Sequence, residues 1–552
     1  MKRAVFFLII WLCLAGRLAA ERHLAAIPVN ELRAQLPASE LNGAVRLLAG
    51  RGFGVLHYDA SYVLAVTPAN TDLAFGKQMY LADYPTEDKL YLVGKVAGSS
   101  GSGLQQVGKI LLELDTEYLL ASQLDDQALR DLIDQPFVLL GREPLRFTPK
   151  GAHMAWREES RILVSDMVAQ VSADSVLARL QGLQDLQTRY ALADNRLQVA
   201  EWIRQQFMNC GITDTQLQPF TWNGTTQYNV IATIPGTDYP DEYVIVGGHH
   251  DSRSNNTDSY VFAPGADDNA SGTVAALEMA RVMLQSGFQP KASIRFVTFA
   301  AEEFGLWGSK YYAQNALDTG QNIRLMINHD MIANQSSAGN WQVRLMPYDG
   351  SYVFSDFAVE VAEQFTALDV YYGTLNSAQS DSHPFWQRGF NVLYFFEAEF
   401  SPWYHSAQDI VANLNPNYCA EAIRASLACA AAFADHPAVP LAPENVQITL
   451  AGNSLSLSWN AVSQTTLGMP CTPLQYNVFA CLSPDGAYSL AASTSNLSYT
   501  YLIPDPAPER LFFCVTAEQD SRDMNSSSLL QILPENSISR DKSIRSIRSL
   551  SP

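Results

Sequence analysis

The sequence predicts an α/β fold: a mostly parallel mixed sheet with helices on both faces, preceded by an α+β N-terminal region and followed by a β-sandwich. Three observations carry that expectation. Between residues 228 and 329, apolar strand patterns alternate with helical ones, the arrangement that builds a largely parallel sheet. Short alternating strands separated by turns resume after residue 445, at the spacing of a sandwich. Between them residues 437–443 read Pro-Ala-Val-Pro-Leu-Ala-Pro, a linker composition.

At 552 residues the chain is long enough for three or four units, and 47% apolar with 17% charged residues describes a globular protein with ample core. Residues 1–20 have the form of a signal peptide. Met1-Lys-Arg precedes an unbroken apolar run from Ala4 to Ala15, and cleavage after Ala20 fits the small residues there. The run is shorter than the ~17–25 residues that a membrane span needs. The expected protein is therefore secreted, with no stable membrane span after signal removal. Residues 21–170 carry strand patterns at Gly54-Val-Leu-His-Tyr, Lys89-Leu-Tyr-Leu-Val, Ile110-Leu-Leu-Glu-Leu and Phe137-Val-Leu-Leu. Leu56, Asp59, Tyr62, Leu64 and Ala65 recur at Leu112, Asp115, Tyr118, Leu120 and Ala121. That spacing of fifty-six either marks an internal repeat or arises by chance. The region reads as a pro-region or an accessory domain.

Residues 171–436 form the motif-bearing domain. Ser172 caps a helix that puts Val176, Leu177, Leu180 and Leu183 on one face. Strands are expected at 228–234, 243–247, 293–299, 324–329 and 341–346, and helices at 271–286, 306–317 and 352–365. Residues 441–532 supply the sandwich strands, among them Ser454-Leu-Ser-Leu-Ser-Trp and Phe512-Phe-Cys-Val-Thr-Ala. Residues 533–552 turn polar and read as a disordered tail.

The chemistry-bearing residues stand where apolar strands end. Tyr243-Val-Ile-Val leads into Gly-Gly-His249-His-Asp251, and Ile294-Arg-Phe-Val-Thr-Phe leads into Ala-Ala-Glu302-Glu303. Leu325-Met-Ile-Asn-His ends in Asp330, and Asn391-Val-Leu-Tyr-Phe-Phe is followed by Trp403-Tyr-His405. Pro-Gly-Ala-Asp-Asp268-Asn lies just before the 271–286 helix. In an open α/β sheet the ligand site forms outside the carboxyl ends of the strands, so these residues can converge on one crevice. Two imidazoles with carboxylates and no thiolate make a donor set that suits zinc.

These blocks resemble the co-catalytic two-zinc aminopeptidases of the bacterial leucyl aminopeptidase type, over about residues 185–435 and in family order. The resemblance implies the zinc exopeptidase fold and two Zn2+ per chain. His249 and Asp330 would hold one ion, Glu303 and His405 the other, with Asp268 bridging. It implies Glu302 as general base, Asp251 orienting His249, and peptide or protein N-termini as substrate. One departure stands out: an extra Ser382 separates Asp381 from His383, where the family has Ser-Asp-His. His383 is then a site-lining donor or a structural histidine. Phe395, Phe396, Trp403 and Tyr404 either wall an apolar pocket for the first side chain or serve the core. The C-terminal strands resemble a fibronectin type III domain with Trp459 at its centre.

Signal removal carries the formal charge from −20 to −23, which speaks against nucleic acid as a partner. Cys210, Cys419, Cys429, Cys471, Cys481 and Cys514 contain no Cys-x-x-Cys pair, and Cys481–Cys514 is the candidate bridge. His23, His57, His153, His329 and His436 lack ligand context and read as structural. Two alternatives stand beside the aminopeptidase: a single-zinc glutaminyl cyclase or carboxypeptidase on the same scaffold, and a non-catalytic binding protein. Nothing in the sequence sets the oligomeric state.

Overall fold

The computed structural model describes residues 22–145 with short gaps, 158–435 apart from 336–340, and 440–518 with short gaps, together with 537–539. The signal-like segment, His153, His436 and Cys471 lie outside the described residues. The chain divides into two compact units, one ending at residue 436 and one formed mainly by the C-terminal residues beyond it.

The first unit opens with two small sheets built on one plan. In the first, strands β1 (Arg22–Pro28), β2 (Gly54–Tyr58), β3 (Tyr62–Val66) and β4 (Met79–Tyr84) lie in the order β2-β3-β1-β4. In the second, β5 (Lys89–Gly94), β6 (Lys109–Glu113), β7 (Glu117–Ser122) and β8 (Phe137–Leu139) lie in the order β6-β7-β5-β8. The pairing is equivalent down to the irregularities. Gly54 faces Val66 as Lys109 faces Ala121, and both hairpins shift register one residue further on. The structural repeat therefore runs at fifty-five residues in these strands. The sequence spacing of fifty-six finds the repeat but misses its register by one, which in a strand exchanges the two faces.

Eight strands form the central sheet: β9 (Asp214–Trp222), β10 (Thr225–Ile234), β11 (Tyr239–His249), β12 (Ala292–Phe299), β13 (Asn322–Asp330), β14 (Gln342–Met346), β15 (Asp369–Tyr372) and β16 (Val392–Glu397). Their order is β15-β14-β16-β13-β11-β12-β10-β9. β12, β11, β13 and β16 are mutually parallel in the middle, whereas β10, β9 and the β14–β16 pair introduce antiparallel edges. The fold class expected from sequence is the one found. The chain passes from β11 to β12 on one side and then to β13 on the other, so strand order reverses at β11. A crevice opens at such a switch point.

One face of this sheet packs on α1 (Gly272–Gln285) and on the 20-residue α2 (Pro416–Asp435), whose alanine-rich surface is buried almost throughout. On the other face, Ile245 and Val297 from the sheet share a core with Tyr312, Ala313 and Ala316 of the 307–318 helix and with Phe385. Edge strands β9 and β15 escaped the sequence reading. β9 is polar, contains Pro219 and alternates only partly buried positions.

The N-terminal sheets belong to the same compact unit as the central sheet. Arg46 pairs with Asp356 at 2.7 Å, and Asn42 donates to the Val370 carbonyl at 2.7 Å. Glu117 on β7 and Arg344 on β14 form an ion pair in which each residue is 1% exposed. Burial raises the Glu117 carboxyl, and Arg344 opposes that shift.

In the second unit, β17 (Gln447–Ala451), β18 (Ser454–Ser458) and β21 (Ser498–Leu502) make one sheet, and β19 (Gln475–Cys481), β20 (Ser489–Thr494), β22 (Arg510–Glu518) and β23 (Ser537–Ser539) the other. Trp459 lies in their core beside Tyr476. Residues 537–539 of the expected tail pair with β22, and the rest of that tail lies outside the described residues. The expected Cys481–Cys514 bridge is not formed. Cys481 faces Phe512, and Cys514 faces Phe479, so the two sulfurs are diagonal neighbours. Diagonal positions sit ~7–8 Å apart, too far for the ~4.4–6.8 Å Cα separation of a disulfide.

Removing one partner of the Glu117–Arg344 pair strands a buried charge. Glu117→Ala should destabilise the first unit by about 3–5 kcal/mol in urea unfolding. The double variant Glu117→Ala/Arg344→Met should recover most of that loss; an unchanged deficit would mean that the charge is not the cause.

Candidate metal centre

Strand ends and the turns beside them deliver the side chains. β11 ends at His249 and β13 at Asp330, while the turn after β12 carries Glu302 and Glu303. Asp268 comes from a kinked turn, Ala266–Ser271, that leads into α1 and is non-helical at Asp268 itself (φ −104°, ψ 93°), and His405 comes from the loop after β16. The backbone around them is unusual. His405 has φ +49°, Met331, next to Asp330, has +52°, and Ala301, next to Glu302, has +57°. Non-glycine residues avoid this region, and such outliers concentrate where a fold over-determines a site.

The side chains meet. His249 Nε2 lies 3.3 Å from Asp268 Oδ1 and 3.4 Å from Asp330 Oδ1. His405 Nε2 lies 3.1 Å from Asp268 Oδ2 and 2.9 Å from Glu303 Oε2. Two groups result, His249–Asp268–Asp330 and Asp268–Glu303–His405, each with its donor atoms within 4.8 Å of one another. Asp268 belongs to both and turns one oxygen to each. Glu302 stands in neither group, with Oε2 3.8 Å from His249 Nε2.

All seven residues picked from the sequence are therefore brought to one place. Asp251 takes a more divided part than expected. Its carboxylate accepts from the Glu302 amide at 2.9 Å and the Glu303 amide at 3.3 Å. His249 Nδ1 faces the Asp251 main-chain carbonyl at 3.1 Å and the carboxylate at 3.6 Å. A carbonyl there fixes Nδ1–H as the donor and leaves Nε2 as the free lone pair, as ligation requires.

A further layer of polar residues was missed by sequence reasoning. Asp409 accepts from the Asp267 amide at 2.8 Å and the Asp268 amide at 3.1 Å, which fixes the bridging turn. Arg189 donates to the His250, Pro264 and Gly265 carbonyls at 2.7–2.8 Å, tying the His249 strand to that same turn. Ser380 donates to Asp330 Oδ2 at 2.6 Å. Asp267 and Glu397 are buried carboxyls that act on each other. Burial pushes Asp267 up to about 7 and Glu397 well above the carboxylate range, so the pair keeps a proton near neutral pH.

The electrostatics follow from burial. Burial opposes ionisation of Asp268, yet hydrogen bonds from His249 and His405 outweigh it and hold the carboxyl below its usual range. Glu302 is raised well above its usual value by burial, with Asp330, Asp381 and Glu303 adding to the effect and His249 opposing it.

His250 and His329 are held by the fold, away from the donor groups. His250 bonds Thr298 and His329 bonds Gly247 and Ser426; burial takes both down to about 4. His383 packs against Trp386 at 5.5 Å and does not line the cavity. That cavity is lined by the carboxylates and His249 and by apolar groups including Met331, Tyr394, Phe396, Phe400 and Tyr404. Phe396 and Tyr404 are thus wall residues. Phe395 is not, because strand alternation turns it the other way, onto His329 at 5.7 Å. Trp403 does not line the cavity either.

The residues fit zinc. Imidazole nitrogen and carboxylate oxygen are its ordinary ligands outside thiolate sites. Glu303 Oε1 is buried without a hydrogen-bond partner, an orphaned atom that a cation would satisfy.

Comparison with known proteins agrees. The profile of peptidase family M28 matches residues 229–430. A probable leucine aminopeptidase of Arthroderma otae is 30% identical over 270 residues, covering 47% of this chain and 72% of that one. A probable leucine aminopeptidase of Trichophyton verrucosum is 30% identical over 270 residues, with 70% of its length covered. The crystal structure of LapB from Legionella pneumophila aligns with 63% of this chain and 100% of that one, at 22% identity and a TM-score of 0.47. By the identity and coverage of the two leucine aminopeptidases, the chain belongs to peptidase family M28.

Proposed function

We propose that this M28 peptidase is a secreted, zinc-dependent aminopeptidase that removes apolar N-terminal residues from peptides and holds two zinc ions. The observation that carries the reading is Asp268, whose two oxygens face two separate donor groups. His249 and Asp330 would hold one ion, Glu303 and His405 the other, with Asp268 shared. The names of the fungal relatives support the activity, and the signal-like residues 1–20 support secretion. No described helix is long and apolar enough to cross a membrane. The C-terminal strands, with Trp459 in their core, are in keeping with a fibronectin type III-like module.

Held by His249, Asp268, Glu303, Asp330 and His405, zinc would supply polarisation of a carbonyl and acidification of water. The chain supplies the rest. Glu302 stands outside both donor groups yet beside them, free to take a proton at its carboxylate from the attacking water and return it to the departing amine. Asp251 aims both glutamates by holding their amides. Met331, Tyr394, Phe396 and Phe400 give an apolar side chain a dry place to bury surface. Asp409 and Arg189 keep Asp268 in place by occupying the backbone around it.

Three outcomes test this. The wild type should release p-nitroaniline from leucine p-nitroanilide but not from its N-acetylated twin, and a chelator should abolish the release until zinc is restored. Cyclisation of N-terminal glutamine without anilide hydrolysis would favour the cyclase alternative. Glu302→Gln should lower kcat by roughly 10²–10⁴-fold while two zinc ions per chain remain by elemental analysis. Asp409→Ala leaves the Asp267 and Asp268 amides without acceptors and should weaken zinc binding by about 10–100-fold in chelator competition. Equal affinity in that variant would show that Asp409 does not hold the bridge.

A further inference from the structure

Two residues of the cavity wall come from outside the motif-bearing domain. Phe137 and Val138 on β8 line the same space as His249, Glu302 and Asp330. They are 6% and 4% exposed. Alternation along the strand divides their support. Phe137 stands edge-on against Tyr91 at 5.5 Å in the core of the second repeat. Val138 enters the core of the central sheet with Ile245, Val297, Phe396 and Phe400.

β8 is held in place from several directions. It pairs with β5, Val93 facing Phe137 and Leu92 facing Val138. At the end of β5, a Cβ on Gly94 would lie 2.6 Å from Phe400, so this strand touches the aromatic wall directly. The Tyr91 hydroxyl donates to the Leu124 carbonyl at 2.9 Å and to Asp126 at 3.0 Å. The other Asp126 oxygen faces Gln379, a further cavity residue, at 3.5 Å. The buried Glu117–Arg344 pair anchors β7, on the other side of β5, to the central sheet.

We propose that β8 is a specificity-determining wall of the substrate cavity, with Phe137 limiting the size of the N-terminal side chain that the enzyme accepts. The N-terminal repeats are then a working part of the peptidase. This inference rests on the aminopeptidase reading above. Phe137 lines the cavity together with Phe396 and Phe400, so the volume left for a substrate side chain depends on the residue at 137.

The test uses the full chain and the p-nitroanilides of alanine, leucine and phenylalanine. Phe137→Ala should raise the kcat/KM of the phenylalanine substrate relative to that of the alanine substrate by roughly tenfold, the scale on which a pocket discriminates apolar groups. Phe137→Trp should move the same ratio the other way. Opposite shifts from the two variants cannot come from general destabilisation. If Phe137→Ala fails to fold, Phe137→Leu against Phe137→Trp decides. A uniform rise for all substrates would make the region an obstruction, and a uniform fall a mere support; either overturns the proposal. No turnover of any substrate by the zinc-loaded wild type would overturn the aminopeptidase reading itself. Turnover with an unmoved ratio overturns the wall alone.

Discussion

A carboxylate that turns an oxygen to each of two imidazoles at once cannot hold itself in place. Asp268 depends on its backbone, and the backbone depends on Asp409, which takes the amides of Asp267 and Asp268 with its two oxygens. Arg189 closes the arrangement by bonding the carbonyls on either side. The turn is thus fixed through main-chain groups, which leaves the Asp268 side chain to the site. Were hydrogen-bond donors turned on the carboxylate itself, it would be satisfied internally and lost as a bridge.

The cost of this design is a dense acidic interior. Asp267, Asp268, Glu302, Glu303, Asp330, Asp381, Glu397 and Asp409 cluster around a few turns of chain, and burial disfavours the charged form of each. The fold meets it in layers. Nearest the imidazoles, Asp268 is held ionised. One layer out, Asp267 and Glu397 share a proton and so avoid a second pair of charges. Backbone amides of Ala333, Asn334 and Ser401 satisfy what remains of them. A carboxyl pair behind the bridge thus carries one charge where two would repel.

How legible was this in the sequence? The seven site residues were readable because each follows an apolar strand or opens a helix, a pattern with a physical cause in parallel sheets. Asp409 and Arg189 leave no such trace. They act on backbone atoms far away in sequence, from polar loops in which any residue looks solvated. The two phenylalanines at 395 and 396 show a different limit. Strand periodicity says that they face opposite ways, but only the packed sheet says which one meets the cavity. The repeat shows a third. Residue coincidences revealed two similar hairpins, yet the pairing that defines equivalence is carried by backbone hydrogen bonds, and these align one residue away. The central parallel strands were found since continuous apolar runs mark burial on both faces. Edge β9 is half-wet and β15 only four residues long, so neither carries such a mark.

The repeat also has a consequence for how the chain can change. Its two copies place corresponding strands, β4 and β8, in opposite circumstances. In β4, Met79 and Tyr80 are 36% and 58% exposed, whereas β8 is built into the cavity wall. One strand plan thus carries a copy buried at the cavity and a copy that meets solvent. Substitutions along β4 are free to accumulate without reaching the chemistry, while those along β8 are read out there, so drift in the two halves should proceed at different speeds.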